Sequence, residues 1–374
     1  MTRRLAGVMA DETSECTIGA ALSLSSGNVR QARMAAAGLV QAVEDVRQAG
    51  GVIVDGRAVL PRLALLDDGG TAKGLREALD LLSGADLIVG PYGSGLAGEA
   101  GHWAVERGRV VWNHGGSADE VETLPRMVSI ASPTSRYPAA VIEAIAETLP
   151  GGRVLIGAGT GSFGQAAARG ATEAAAAHGL GAVTVVTPDE VPDEVDADVL
   201  LLAGSFDDDV DVLRRLRRRP RMVTAVAGGL REFPEAVGAR RAEGVLAPSQ
   251  WEEGLRLRPD VGPRSVDVLR ALRFRLAPGL APGTAAAHVE YPAAQAYAAV
   301  VIALRCVADT GGFDDETLLA AARALRCTTF FGRFGLGPDG RQADHSLVVV
   351  QWQNGAKCIV GPPGVAERSV AFSS

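Results

Sequence analysis

The 374-residue chain predicts an α/β protein built as two doubly wound parallel-sheet lobes. Apolar runs of strand length alternate with alanine-rich, helix-compatible stretches almost throughout, the pattern of parallel sheets covered on both faces. The alternation falls into two series, broken at Ser132-Pro133. A chain of this length also exceeds what one hydrophobic core ordinarily organises.

The first strand is predicted over 16–24, ending at Ser25-Ser26-Gly27, and the first helix over 31–49, stopped by Gly50-Gly51. A strand over 57–67 runs into Asp67-Asp68-Gly69-Gly70 and is followed by a helix over 71–82. Between Asp86 and Val121 one event then occurs twice. The apolar run LIV empties into Gly90-Pro91-Tyr92-Gly93-Ser94, the run VVW empties into Asn113-His114-Gly115-Gly116-Ser117, and a helix-compatible segment follows each loop. A short strand over 127–131 closes the first series. The second series holds a helix over 137–148, a strand over 153–158, a helix over 164–178, strands over 182–186 and 199–202, a helix over 208–218, and strands over 222–227 and 244–247. A long helix over 291–310 and a shorter one over 315–325 follow. Segments 346–353 and 357–360 flank Asn354-Gly355, a favoured two-residue hairpin turn. Segments 259–263 and 277–287 are loop candidates.

The composition is 47% hydrophobic and 22% charged with 46 glycines, which fits a globular α/β chain. A net charge of -7 argues against nucleic acid as a partner, since nothing would neutralise a phosphate track. The basic run from Arg214 to Arg221 is the local exception, and a solvated helix end explains it. Cys16, Cys306, Cys327 and Cys358 lack metal-binding spacing. Cys306 and Cys327 could meet across a helix pair, but buried free thiols are the simpler expectation. No apolar run has the length of a membrane span, and MTRRLAGVMADETSEC does not read as a signal peptide. The expected location is outside the cytoplasm if a leader precedes this chain, and cytoplasmic otherwise.

In open parallel sheets, loops leaving the carboxyl ends of neighbouring strands converge on one ligand crevice. The loops at 90–94 and 113–117 supply a tyrosine, hydroxyls and bare amides there, with no nucleophile–base pair. A hydroxyl and exposed amides where a strand turns into a helix suit an anion, helped by the helix dipole. Carbonyl oxygens and the Ser117 hydroxyl can accept from a donor. Tyr92 and Trp251 are candidate aromatic walls, and Asn113 and His114 candidate hydrogen-bonding groups. The plainer reading of these residues is turn geometry and core packing. Gly159-Thr160-Gly161-Ser162-Phe163-Gly164 fits the GxGxxG pattern after a strand, a dinucleotide fingerprint on its face, but the next strand lacks a clear acid at its end.

The order of motifs resembles the type I periplasmic binding fold, in the branched-chain amino-acid/amide-binding branch of ABC-transporter solute receptors. The matching stretches run in order: LSLSSG, the helix ending at Gly50-Gly51, Asp67-Asp68-Gly69, GPYGS, NHGGSADEV, SPTSRY, GSFG, EYPAAQAYAAVVIAL and FGRFGLGPDG…HSLVVVQWQNG. This resemblance implies a first lobe of 1–131 and 250–328 and a second of 132–249 and 329–374, with crossovers near Ser132, Pro248 and Thr328. It implies a ligand cleft between the lobes that shuts by hinge motion. Ser94 and the loop Gly115-Gly116-Ser117 match positions that hold an amino acid's carboxylate and ammonium. Phe163 matches an aromatic that closes over the ligand from the second lobe, and Ser205 and Phe206 match another contact region there.

The chain departs from that pattern in two places. Gly228-Gly229 stands where an acid would pair with the ligand ammonium, and Asn28, Val29 and Arg30 stand where the first loop would carry an aromatic. An unpaired buried ammonium is costly. Either Asp207 or Glu232 replaces the acid, or the ligand is not an α-amino acid; Arg30 would suit a second anionic group. The functional expectation is a non-enzymatic receptor for a small polar ligand, an amino acid or related amide or carboxylate, passing it to an ABC permease without a cofactor. Its oligomeric state is left open between monomer and dimer. A cytoplasmic sensor of the same fold and a nucleotide-dependent α/β enzyme are the alternatives.

Overall fold

The computed structural model describes residues 14–277 and 288–372; the N-terminal leader question and most of the 277–287 loop candidate lie outside these residues. The first sheet consists of β1 (Ser14–Leu22), β2 (Val52–Val54), β3 (Arg57–Asp67), β4 (Leu87–Val89), β5 (Val111–Asn113) and β6 (Met127–Ser129), in the order β2-β3-β1-β4-β5-β6. All its pairings are parallel except β2–β3. The β2 strand was not anticipated. It forms a tight hairpin with β3 through Asp55 and Gly56, whose φ angles of 48° and 78° fit the mirror-image turn that right-twisted strands require.

The second sheet consists of β7 (Val154–Ala158), β8 (Val183–Val186), β9 (Val199–Ala203), β10 (Met222–Ala225), β11 (Leu246–Ser249), β14 (Val348–Gln353) and β15 (Ala356–Gly361). Their order is β15-β14-β11-β10-β9-β7-β8, parallel through β11 with an antiparallel hairpin added at one edge. The hairpin turns at Asn354-Gly355, both at positive φ. A separate two-residue ladder joins β12 (Cys327–Thr328) to β13 (Arg333–Phe334).

Both sheets are doubly wound, and each has a switch point where the chain reverses its direction of travel. In the first sheet the switch lies between β1 and β4, and in the second between β7 and β9. In open α/β sheets ligands bind at such points, outside the carboxyl ends of the strands. The two crevices face one another.

The helix Tyr291–Thr310 is long and apolar enough to cross a membrane, yet 83% of its apolar window is buried inside the protein. It packs along the helix Val29–Gln48, and its Tyr297 ring meets Phe330 edge-on at 5.2 Å. Phe330, Phe331, Phe334 and Leu336 share that core. Phe330 also meets the Trp251 ring edge-on at 5.7 Å, and Phe331 stacks on His345 at 4.5 Å, so the stretch from Thr329 to His345 is anchored by its own aromatic residues. All four cysteines are buried and free.

Candidate functional site

The crevices enclose a cavity of about 470 Å³, a size suited to a small molecule. Loops leaving β4 and β5 line one wall and loops leaving β7 and β9 line the other. The sequence-predicted residues that line it are Tyr92, Ser94, His114, Gly115, Ser117, Phe163, Ser205 and Phe206.

The first-lobe wall is held by a zipper of the two loops. The Gly93 N–H donates to the Gly115 carbonyl at 3.0 Å, and Tyr92 and Gly115 form a parallel bridge. A Cβ on Gly115 would lie 2.6 Å from the Tyr92 Cα, so only glycine admits this approach. Asn113 and Gly116 do not line the cavity; they build the loop. The Asn113 amide donates to the Gly116 carbonyl at 2.6 Å and to Ser129 Oγ at 2.9 Å, while its Oδ1 accepts the Gly116 N–H at 2.8 Å. With its polar atoms so engaged, Asn113 orients the loop and has no bond to spare for a ligand.

Ser94 opens the helix Ser94–Arg107, and its Oγ accepts the Ala118 N–H at 3.0 Å, leaving the hydroxyl hydrogen free to donate. A second donor is relayed to Ser117. Gln250 Nε2 donates to the Tyr137 hydroxyl at 2.6 Å, and Tyr137 donates to Ser117 Oγ at 3.3 Å. The Ser117 hydrogen is thereby directed to Thr134 Oγ1, 2.9 Å away, or to a ligand oxygen. This end of the cavity is a donor pole next to the positive end of a helix, the arrangement an anion needs.

Trp251 is not an aromatic wall of the cavity. It is 2% exposed, its ring packs edge-on to Phe330 at 5.7 Å, and its indole N–H donates to the Phe330 carbonyl at 3.0 Å. The polar neighbours that drew attention to it belong to a crossover between lobes. The aromatic lining comes instead from Tyr92, Tyr137, Tyr291, Phe163 and Phe206, with Tyr137 and Phe163 edge-to-face at 5.8 Å. Tyr291, Gln295 and Tyr137 are lining residues that the sequence did not single out. Tyr92 and Tyr291 place their hydroxyls 3.1 Å apart, and burial raises both phenols above their ordinary range, so both stay neutral.

Across the cleft, Gly159, Thr160, Gly161 and Gly164 of the GTGSFG loop join Phe163 in the lining. The acid a dinucleotide fingerprint needs at the end of the next strand is missing: β8 ends at Val186, and the carboxylates that follow, Asp189 and Glu190, are turned to Thr187, whose N–H donates to Glu190 at 2.9 Å. Ser205 caps the helix Phe206–Arg215, its Oγ accepting the Asp208 N–H, while Asp208 accepts the Ser205 N–H at 3.0 Å. Asp208 is the one acid lining the cavity among the described residues, and it is exposed.

Neither proposed substitute for the missing acid reaches the cavity. Glu232 is ion-paired to Arg30 across the cleft mouth, which also removes Arg30 as a free cation, and Asp207 is not part of the lining. Gly228 and Gly229 lie against β11, and their carbonyls accept from Trp352 Nε1 at 2.8 Å and from Lys357 Nζ at 2.7 Å. His114 lines the cavity and is 0% exposed, and burial drives its pKa down to about 4. It touches no hydroxyl nucleophile and no orienting carboxylate, so no catalytic relay forms around it.

The profile of the family described as periplasmic binding protein matches residues 15–357. Among curated proteins no sequence matches. Several solved structures share the fold. The branched-chain amino acid transporter substrate binding protein LivJ from Streptococcus pneumoniae, solved with isoleucine, has a TM-score of 0.74 at 14% identity, covering 96% of this chain and 100% of its own. The leucine-binding protein LivK from Thermotoga maritima gives 0.75 at 16% identity over 92% and 98%. A solute binding protein of an ABC transporter from R. palustris, in complex with benzoate, gives 0.71 at 16% identity over 93% and 96%. With the profile spanning nearly the whole chain and both switch-point crevices in place, this chain belongs to the periplasmic binding protein family.

Proposed function

We propose that the protein is a non-enzymatic solute receptor that holds a small organic carboxylate or related polar molecule by hinge closure and passes it to an ABC permease outside the cytoplasm. The observation that carries this reading is the cavity itself. Its walls come from the strand ends of two lobes, it has a pole of hydroxyl donors at Ser94 and Ser117, and it lacks a nucleophile–base pair. In this reading Ser94 and Ser117 take the carboxylate, Gly115 holds their loops in register, Tyr92 flanks the ligand, and Phe163, Ser205 and Phe206 close from the second lobe. The named neighbours, bound to isoleucine or benzoate, support a carboxylate ligand.

A thermal-shift panel of amino acids, hydroxy acids, amides, aromatic acids and NAD tests the reading. A saturating ligand at a hundred times its Kd stabilises by about 2.7 kcal/mol, enough for a clear rise in Tm. Stabilisation by a carboxylate, lowered about tenfold in affinity by Ser94→Ala or Ser117→Ala, is the expected result. Stabilisation by NAD alone would overturn it.

A further inference from the structure

Two buried polar side chains on the first-lobe side of the cavity are short of partners among the described residues. Gln295 is 2% exposed and its Oε1 accepts no hydrogen bond; His114 is 0% exposed, and its ring has only the Gly90 carbonyl beside it, outside good hydrogen-bond geometry. Both residues line the cavity. Gln295 follows Tyr291 by one helical turn and shares its face. The Tyr291–Tyr92 hydroxyl contact and the Tyr92–Gly115 bridge bring that face beside the His114 loop. The Gln295 amide offers an acceptor at Oε1 and donors at Nε2, and a neutral imidazole with its N–H towards the Gly90 carbonyl offers a second acceptor. A hydroxyl group satisfies this set, because it donates through its hydrogen and accepts on its oxygen.

An ammonium fits the same place poorly. It cannot accept a hydrogen bond, and among the described residues no carboxylate on the first-lobe wall balances its charge. Across the cleft, Asp208 is exposed and engaged by the Ser205 N–H, Glu232 is held by Arg30, and the Gly228-Gly229 position has no side chain. A buried charge with no counter-charge is disfavoured far more than a neutral hydroxyl of the same size.

We infer that Gln295 and His114 form the specificity pole of the cleft and select a hydroxy monocarboxylate over the amino acid of the same skeleton. The inference rests on the receptor reading above, with the carboxylate at Ser94 and Ser117.

Calorimetric titration with two matched trios decides it: leucine, 2-hydroxy-4-methylpentanoate and 4-methylpentanoate; then phenylalanine, 3-phenyllactate and 3-phenylpropanoate. In at least one trio the hydroxy acid binds about tenfold or more tighter than both companions. Gln295→Leu removes that preference over the unsubstituted acid, and Gln295→Glu, which supplies the missing carboxylate, raises the amino acid toward the hydroxy acid. If in neither trio the hydroxy acid binds tighter than the amino acid in the unmutated protein, and an amino acid binds, the inference is overturned and the receptor reading stands. Failure of all six to bind also overturns it, and if no compound of the thermal-shift panel stabilises the protein either, the receptor reading falls with it. The ranking in the unmutated protein decides the matter even if a variant misfolds.

Discussion

The side-chain amide of Gln250 bridges both polar groups of the Ser132 backbone: its Nε2 donates to the Ser132 carbonyl at 2.9 Å, and its Oε1 accepts the Ser132 N–H at 3.0 Å. These residues lie on different passages between the lobes, and the third is tied in by Ser132 Oγ, 2.9 Å from His345 Nδ1. Gln250 spends its remaining hydrogen on Tyr137, which donates to Ser117 in the cavity. Under the proposed hinge closure these are the stretches that flex, and they are hydrogen-bonded through Tyr137 to Ser117, which lines the cavity.

Removing the Gln250 amide leaves a buried N–H and a buried carbonyl of Ser132 unpaired. Gln250→Ala is expected to lose about 2–6 kcal/mol of stability by urea unfolding, from two orphaned groups at about 1–3 kcal/mol each. Ligand affinity should fall as well, because Tyr137 loses its donor and the relay to Ser117 reverses freely. Unchanged stability would mean that water replaces both bonds.

The parts of this architecture set by local chemistry were legible in the sequence. The strands after Arg57 and Met222 and the loops GPYGS and NHGGS are announced by apolar runs, glycines and hydroxyls, and they sit where the pattern predicts. Residues whose role depends on packing between distant elements were not. Tyr291 and Gln295 look like one face of an apolar helix until that helix lies against the Tyr92 loop. A lone glutamine one turn from a tyrosine, inside a stretch rich in alanine and valine, was the available signal. Trp251 failed in the opposite direction: its polar sequence neighbours serve the crossover, and its ring is taken by Phe330.

Arg30 and Glu232 form an ion pair from opposite lobes, with Glu232 the more shielded partner. Arg30→Ala or Glu232→Gln should weaken ligand binding about two- to fivefold, the scale of a partly exposed pair, mainly through faster release. The charge-swapped double variant, Arg30→Glu with Glu232→Arg, should restore most of the loss, and high salt should shrink the effect. Stopped-flow dissociation rates at low and high salt would check this. A loss that the swap does not restore would assign it to packing.

Asp209 is buried behind the second-lobe wall, where it accepts N–H groups from Gly204 at 2.8 Å and Ala227 at 3.1 Å. Burial outweighs those donors and raises its carboxyl to about 7. The folded state therefore holds this proton more tightly than the unfolded chain, whose carboxyl titrates near 3.8. Its contribution is complete below about pH 4 and is lost as pH rises to about 7. Relative to Asp209→Asn, which cannot titrate, the unmutated protein should lose about 2–3 kcal/mol between pH 5 and pH 8, at about 1.4 kcal/mol per pH unit up to the folded pKa. Urea unfolding of both proteins at the two pH values measures it; a gap independent of pH would place the ionisation of Asp209 at the same pH in both states.

Gly116 is closely packed in the loop that carries Ser117. A Cβ there would fall 2.1 Å from the Cβ of Ala97, on the helix that begins with Ser94. The loop cannot retreat, because Asn113 holds both the N–H and the carbonyl of Gly116. Gly116→Ala must push the Ser117 loop or the Ser94 helix aside, and overpacking of this kind costs about 1–3 kcal/mol. Either displacement separates the two hydroxyls of the donor pole, so affinity should fall by more than stability alone explains. Gly95→Ala provides the contrast. That position is helical, exposed and has no heavy atom within 4 Å of an added Cβ, so the substitution should stabilise by about 0.5–1 kcal/mol and leave binding intact. Equal effects of the two alanines on ligand affinity, measured by calorimetry, would show that the spacing of the two loops does not set the donor pole.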